Sequence, residues 1–285
     1  FYRERVNPDN PDQVWATDHW EDFTQHEEVI KIRGQEDRLI KTRSTRHGPI
    51  INDLPGSLER QPVSLFWTFL DPENDSAKAF HGFTQAQSMA EFEAAAAAHS
   101  APGLNLLYAD TDDNIAMWAI GKLKRWPTSS NGFTLLNGGS GRDEFRGYQP
   151  FTSNPKIVNP RSGYLFSTNN PYPETNVRRS LPGYYAPTER AQRLQALLEQ
   201  DEAFDLSQFK AMQLDDQRPQ ALAMVQDAMP LFDYNLFSAE LRAPAAKAAE
   251  LLAQWDGRYQ QDSVGASLFQ RWRDELSAAL FADEL

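Results

Sequence analysis

The pattern of hydrophobic and polar positions changes about two thirds of the way along the 285-residue chain. Before this change, short apolar runs rich in β-branched and aromatic residues alternate with Gly, Pro, Asn and Asp, which is typical of strands and turns. Beyond residue 185, apolar residues recur at three- and four-residue spacing, which is typical of amphipathic helices. The pattern predicts an α+β protein with a β-rich segment at 1–60, core strands and one helix at 61–185, and a helical segment at 186–285.

Four stretches predict particular strands. The β-branched run Glu27–Arg33 and the nearly continuous apolar run Val63–Leu70 each favour a strand, and the second strand is expected to be buried on both faces. The stretch Leu104–Gly121 places two apolar runs around the turn-forming sequence "DTDDN", so it predicts a β-hairpin. The stretch Ser162–Asn170, "SGYLFSTNN", predicts a further strand that ends at its asparagines.

Helices are predicted in both parts of the chain. In the middle segment, strong helix formers from about Thr84 to His99 follow a threonine that can cap the first turn. After residue 185, apolar residues at helical spacing predict several further helices. These cover Thr188–Glu199, Leu206–Phe232 with interruptions at Pro219 and Pro230, Ala239–Trp255, and Ser263–Phe281.

Composition and charge exclude several classes of function. The net charge is −12, and the chain lacks the basic stripe that a nucleic-acid partner requires. The absence of cysteine excludes thiol chemistry and zinc–thiolate sites. Because the chain has no run of eighteen apolar residues, we expect no membrane partner. The polar start "FYRERVNPDNPDQ" is no signal peptide and contains no initiator methionine, so we expect a processed product or an excerpt of a longer protein.

Residues that could carry chemistry are few. The chain has no GxSxG motif, the nucleophile turn of many serine hydrolases. The adjacent carboxylates Asp215 and Asp216 could act as an acid–base pair. With forty acidic residues in the chain, a solvated or helix-end position is the better interpretation. His47 precedes Gly48 and Pro49, which favour a turn, so we interpret this histidine as structural.

Six stretches in collinear order carry a more specific signal, and together they extend over nearly the whole chain. They are Thr45–Ile51, Ser64–Pro72, Leu104–Leu123, Gly147–Pro173, Ala186–Leu194 and Leu251–Trp272. They include "TRHGPII", "SLFWTFLDP", "SGYLFSTNNPYP" and "APTERAQRL". In this order they resemble the penicillin acylase (penicillin amidase) family of N-terminal-nucleophile hydrolases.

The resemblance implies a four-layer αββα sandwich of antiparallel sheets, with a β-rich insert and a helical C-terminal portion. It implies an amide hydrolase that removes the acyl side chain of a small N-acyl compound, such as a β-lactam or an acyl-homoserine lactone. The family's nucleophile is the N-terminal serine of a β chain, released by autocatalytic cleavage. We expect this chain to lie downstream of that serine, to be inactive alone, and to need the α chain and the rest of the β chain. A periplasmic or secreted location follows from the same resemblance. The alternative is a non-catalytic relative that binds an acyl ligand.

The resemblance also assigns four site residues. Asn169, the first Asn of "TNNP", matches an oxyanion-hole donor, and Arg190 in "PTERAQRL" matches an arginine that orients the site and tunes its electrostatics. Trp67 and Leu104 match positions that line the acyl pocket, although plain core packing explains these two equally well. No cofactor is expected. The family often binds calcium, but the position expected near residues 178–180 reads Arg-Arg-Ser, so this segment does not support a metal site.

Overall fold

The computed structural model describes residues 1–53, 61–125, 134–172, 185–200 and 203–282. They belong to two compact units. The first unit comprises Phe1–Ser167 and Pro171–Tyr185, and the second comprises Thr168–Asn170 and Ala186–Leu285. The predicted segment boundaries at residues 60 and 185 stay a prediction.

Strands dominate the described part of the first unit, where they form four small sheets. The sheets have the orders β10-β1-β7, β11-β9-β8, β2-β3 and β4-β5-β6. The strands are β1 Tyr2–Arg3, β2 Gln13–Ala16, β3 His19–Asp22, β4 Thr24–Ile30, β5 Arg38–Thr45, β6 Gly48–Pro49, β7 Val63–Ser64, β8 Leu104–Ala109, β9 Ile115–Ile120, β10 Leu136–Asn137 and β11 Lys156–Val158.

The predicted hairpin is confirmed in β8 and β9, which pair antiparallel from Leu104 opposite Ile120 to Ala109 opposite Ile115. The Asp110 carboxylate accepts hydrogen bonds from the backbone N–H groups of Asp112 and Asn114, which stabilises the tight turn. Strand β9 lies between β8 and β11 and is covered on both faces. Its alternate residues pack into two separate clusters, one around Trp118 and Ile120 and the other around Met117 and Ala119.

The helix predicted from about Thr84 to His99 is confirmed over α2 Met89–Ala96, while α1 Ser76–Gln85, which precedes it, was not predicted. Helix α2 begins after Ser88, whose hydroxyl accepts the backbone N–H of Glu91, so Ser88 and not Thr84 is the N-cap. The two helices pack closely because Gly82 has no side chain. A Cβ at this position would lie 2.6 Å from the Cβ of Ala95.

The prediction of a strand over Val63–Leu70 is wrong after Ser64. Strand β7 ends there, and a short 3-10 helix follows at Thr68–Leu70. The backbone carbonyl of Phe66 accepts a hydrogen bond of 2.8 Å from the Lys124 ammonium group instead of from a neighbouring strand. The apolar run therefore leaves the sheet, and its last aromatic residues are half exposed instead of buried on both faces.

The prediction of a strand over Ser162–Asn170 is also wrong, because the structure assigns no strand to these described residues. The preceding strand β11 ends at Val158, and Asn159 then adopts a left-handed backbone with φ of 45°. A turn follows, in which the backbone N–H of Gly163 bonds to the Pro160 carbonyl. No strand is assigned to the described residues that follow the turn, so Asn169 does not terminate a strand.

The predicted helices of the second unit are confirmed, together with the interruptions predicted at Pro219 and Pro230. The helices are α3 Glu189–Leu198, α4 Leu206–Gln213, α5 Pro219–Ala228, α6 Ala239–Ala253 and α7 Val264–Phe281. Pro219 begins a new helix, where proline lacks only an N–H that has no intrahelical partner, and this helix ends at Ala228, just before Pro230. Trp255 and Phe269 pack at the centre of this unit, and Gly265 leaves room for the Trp255 ring.

No helix in the described ranges has both the length and the apolar character needed to cross a bilayer.

Candidate functional site

Asn169 lies in a bend of the second unit and has an unusual backbone conformation. Its φ of 64° is in the left-handed region, which asparagine tolerates better than most residues with a side chain. The Asn169 carbonyl oxygen accepts the backbone N–H of Ala186 over 2.8 Å, which ties the bend to the segment leading into α3. The side chain of Asn169 is exposed. The left-handed backbone of Asn169 therefore places its side-chain amide at the surface of the second unit.

Arg190, in the first turn of α3, contacts this bend directly. Its Nη2 donates to the backbone oxygen of Thr168 over 2.6 Å and to Oδ1 of Asn169 over 3.1 Å. A guanidinium group has only donors, so the oxygen end of the Asn169 amide must face it. The NH₂ end of the same amide is consequently directed to the other side of the amide carbon. The contact with Arg190 therefore fixes the orientation of the Asn169 side-chain amide.

The side chain of the neighbouring Asn170 hydrogen-bonds within the bend itself. Its Oδ1 accepts hydrogen bonds from the backbone N–H and the hydroxyl of Thr168, over 3.1 and 3.0 Å. Bonds of this kind hold a turn without any secondary-structure ladder. Asn170 thus stabilises the bend that carries Asn169.

Helix α3 is anchored one turn beyond Arg190. Arg193 bonds to both carboxylate oxygens of Asp215, with Nε–Oδ2 and Nη2–Oδ1 distances of 2.8 and 2.6 Å. This hydrogen bonding lowers the pKa of Asp215, more than burial of the group raises it. Asp216 bonds separately to Arg258 over 3.0 Å. The two carboxylates follow the end of α4, as expected, but they form ion pairs and do not form an acid–base pair.

Trp67 and Leu104 lie in the first unit. Trp67 is 48% exposed and stacks on Phe69 with ring centroids 5.0 Å apart. Leu104 is 40% exposed at the start of the edge strand β8. Neither side chain is a core residue in the part of the chain that the structure describes.

A buried polar cluster around His47 was not predicted from the sequence. The His47 ring lies between two carboxylates, with Nδ1 2.8 Å from Glu4 and Nε2 3.0 Å from Glu144. Glu4 also accepts the hydroxyl of Ser64 over 2.6 Å. Because Ser64 bonds to Glu4 and not to His47, no serine–histidine pair forms, and we interpret the cluster as structural. The one available signal was the alternation in "FYRER", which buries Tyr2 and Glu4 on the same side.

The ionisation of Glu4 follows from its surroundings. Burial opposes the charged form, but hydrogen bonds from His47, Ser64 and Thr45 together outweigh it and lower the pKa of the carboxyl. Glu144 behaves similarly, since bonds from Arg46 and His47 outweigh its burial and lower its pKa. We expect both carboxylates to be ionised at neutral pH.

A metal site has no support in the described residues, where no three His, Asp or Glu side chains converge to hold an ion. Residues 178–180, which bear on the calcium expectation, lie outside the described residues. We therefore derive no chemical step through calcium.

Comparison with known proteins supports the resemblance found in the sequence. The family model described as penicillin amidase matches residues 1–285. The chain is 25% identical to acyl-homoserine lactone acylase QuiP of Pseudomonas aeruginosa, over 95% of this chain and 34% of that protein. It is 26% identical to the penicillin acylase 2 proenzyme of Pseudomonas sp. strain SE83, over 89% of this chain and 32% of that protein.

A solved structure is similar as well. A thermostable penicillin G acylase from Alcaligenes faecalis matches with a TM-score of 0.72 and 24% identity, over 92% of this chain and 46% of that one. The chain belongs to the penicillin amidase family. Its mixed helix-and-sheet fold resembles that of penicillin G acylase, while the four-layer arrangement stays a prediction. The chain spans about a third of the length of the curated relatives it matches.

Proposed function

We propose that the protein carrying this chain is an amide hydrolase that removes the acyl group from a small N-acyl compound. The relatives of known name are acylases for penicillin or for acyl-homoserine lactones. We propose the same substrate class here, without choosing between a β-lactam and a homoserine lactone as the leaving amine. The serine nucleophile and its autocatalytic release are proposed to come from outside this chain, and we propose a periplasmic or secreted location.

The observation that carries the proposal is the contact between Arg190 and Asn169. When a nucleophile attacks an amide carbonyl, negative charge develops on the carbonyl oxygen. A fixed N–H donor stabilises this charge more than it stabilises the ground state, and one such donor contributes about 3–4 kcal/mol to the barrier reduction. Arg190 turns the oxygen of the Asn169 amide towards itself, so the NH₂ group is pre-oriented for this role.

The charge of Arg190 supplies a second effect. The proposed base is the α-amino group of the nucleophilic serine, which must be neutral to accept a proton. A nearby cation disfavours the protonated amine and lowers its pKa, so the base is available at neutral pH. Arg190 is proposed to act by position and charge and not to exchange protons itself, since a guanidinium group stays protonated.

For the acyl group we propose contacts with Trp67 and Leu104. Both side chains are large, apolar and exposed in the first unit, so both are available to an apolar ligand. Sites for small molecules combine such walls with a few polar groups that fix orientation.

The test is Asn169→Ala in the intact parent protein, assayed with chromogenic anilides of different acyl length. We expect the turnover number to fall about 10²–10³-fold, as for loss of one oxyanion donor, with little change in KM. Gln192→Ala is the matched control, because Gln192 is an exposed amide on the same helix as Arg190. Near-normal turnover of the Asn169→Ala variant would contradict the proposal that Asn169 stabilises the oxyanion. A parent protein that binds the anilides without cleaving them would instead be a non-catalytic acyl-binding relative.

A further inference from the structure

A cavity of about 650 Å³ lies on the first unit, along the segment that contains β1. Tyr2 and Glu4 point inward towards His47, which Tyr2 stacks on and Glu4 bonds to. Because side chains alternate along an extended chain, Arg3 and Arg5 point to the opposite side. Both arginines are exposed and line the cavity.

The two arginines are unusual in a chain with a net charge of −12. Within the residues that the structure describes, no carboxylate pairs with the guanidinium group of Arg3 or Arg5. Arg5 instead lies over the rings of Trp15 and Trp20, 5.3 and 5.6 Å from their centroids. The stacking restrains the Arg5 side chain, which lowers the entropy lost when an anion binds.

The rest of the cavity wall is mixed, and its polar members include Gln61 and the acidic residue Glu4. Val6, Pro62 and Leu135 line it, and Leu135 is 37% exposed although it is a large hydrophobic residue. Asn137 adds an amide to the lining, while its backbone N–H is held by Asp143 over 2.8 Å. The lining therefore combines two exposed arginines, which suit an anion, with a group of apolar side chains, which suit a hydrocarbon body.

We propose that this cavity binds an amphiphilic monocarboxylate, with its carboxylate on Arg3 and Arg5 and its apolar body against Val6, Pro62 and Leu135. The planar guanidinium fork matches a carboxylate with two parallel hydrogen bonds. The volume lies within the range of sites for small organic ligands. Asn169 and Arg190 take no part in this site, so it does not depend on the proposed hydrolase activity.

The first experiment varies the ligand against the intact native protein, using titration calorimetry and tryptophan fluorescence. Octanoate carries both features, octanol keeps only the apolar body, and acetate keeps only the carboxylate. We expect octanoate to bind at least about tenfold more tightly than either of the others, because only octanoate makes both the charge-assisted hydrogen bonds and the apolar contact. Binding should also change the tryptophan emission, since Arg5 lies over Trp15 and Trp20. Equal affinity for octanol and octanoate, or no binding of octanoate, overturns the proposal.

The second experiment varies the protein. Arg3→Gln and Arg5→Gln should each weaken octanoate binding about tenfold or more, while Arg38→Gln, an exposed arginine on β5, should not. If octanoate binds elsewhere on the protein, its affinity will be unchanged by both cavity substitutions, and this result would contradict the assignment. If a Gln variant does not fold, Arg3→Lys and Arg5→Lys replace it. The lysine variants keep the positive charge but lack the planar guanidinium group, so we again expect weaker binding of octanoate. Unchanged binding would contradict the proposed site.

Discussion

Arg190 donates a hydrogen bond of 3.1 Å from Nη2 to Oδ1 of Asn169, and this contact joins two features that are separate in the sequence. One is a bend whose central residue has a left-handed backbone, and the other is the first turn of helix α3. A residue in a strained conformation persists only when its surroundings hold it there. Asn170, Ala186 and Arg190 provide these restraints, which agrees with a functional role for Asn169.

The first prediction separates the chemistry of Asn169 from its backbone conformation. In the intact parent protein, Asn169→Gly keeps the left-handed backbone but removes the amide, so the turnover of the proposed hydrolase should fall about 10²–10³-fold while the melting temperature stays the same or rises. Asn169→Ala should lose the same activity and also destabilise the protein by about 1 kcal/mol, since alanine disfavours positive φ. Thermal unfolding and steady-state kinetics on both variants measure this. An active glycine variant would show that the backbone, and not the amide, matters.

The second prediction separates the geometry of Arg190 from its charge. Arg190→Lys keeps a positive charge but replaces the planar guanidinium group by a point charge. We therefore expect kcat to fall, while the pH of the acidic limb of the kcat/KM profile stays unchanged. Arg190→Gln removes the charge as well. The pKa of the proposed catalytic amine should then rise, and the acidic limb of the kcat/KM profile should move to higher pH. Arg271→Lys, on the exposed face of α7, is the control for both. Identical pH profiles for the Gln variant and the parent would exclude the electrostatic role.

Local patterns in the sequence predicted local structure well. The hairpin of β8 and β9 follows from two apolar runs around an Asp- and Asn-rich turn. The helices of the second unit follow from 3.6-residue spacing, and Ser263 caps α7 at the predicted start. In both cases the determining contacts lie within a few residues, so the pattern contains the information.

Contacts between distant residues could not be predicted in the same way. Glu4 and His47 are 43 positions apart, and Arg193 and Asp215 are 22 apart, so no periodicity relates them. The run Val63–Leu70 has the composition of a buried strand. The Phe66 carbonyl, however, accepts a hydrogen bond from the Lys124 side chain instead of from a neighbouring strand. For the candidate site, the family resemblance supplied the residues, and the structure supplied the contact between Asn169 and Arg190.

The third prediction concerns the proposed acyl pocket. Trp67 is 48% exposed, so Trp67→Ala should cost about 1 kcal/mol of stability, well below the cost of truncating a core tryptophan. If Trp67 contacts the acyl group, kcat/KM for anilides with long or aromatic acyl groups should fall about tenfold, and that for acetyl anilide should change little. Phe80→Ala, at 52% exposure in the same unit, is the control. Equal loss on every acyl length would argue against a specificity role.

The last prediction uses the buried pair of Glu4 and His47. The pKa of Glu4 is lowered in the folded protein, so ionised Glu4 stabilises the fold above its unfolded pKa of about 4.3. This stability is lost as the pH falls through the lower, folded pKa. Glu4→Gln should therefore destabilise the protein by about 2 kcal/mol at pH 7, because it removes a buried carboxylate to which His47, Ser64 and Thr45 hydrogen-bond.

The difference in unfolding free energy between the parent and Glu4→Gln should shrink as the pH falls below about 4, since protonated Glu4 then resembles the amide. Urea unfolding at a series of pH values measures this difference. Glu27→Gln is the control, because Glu27 pairs with Lys41 on the exposed β4–β5 ladder, where an ion pair contributes at most about 1 kcal/mol. A Glu4→Gln difference that stays constant down to the acid transition would show that steric fit, and not the charge of Glu4, stabilises the His47 cluster.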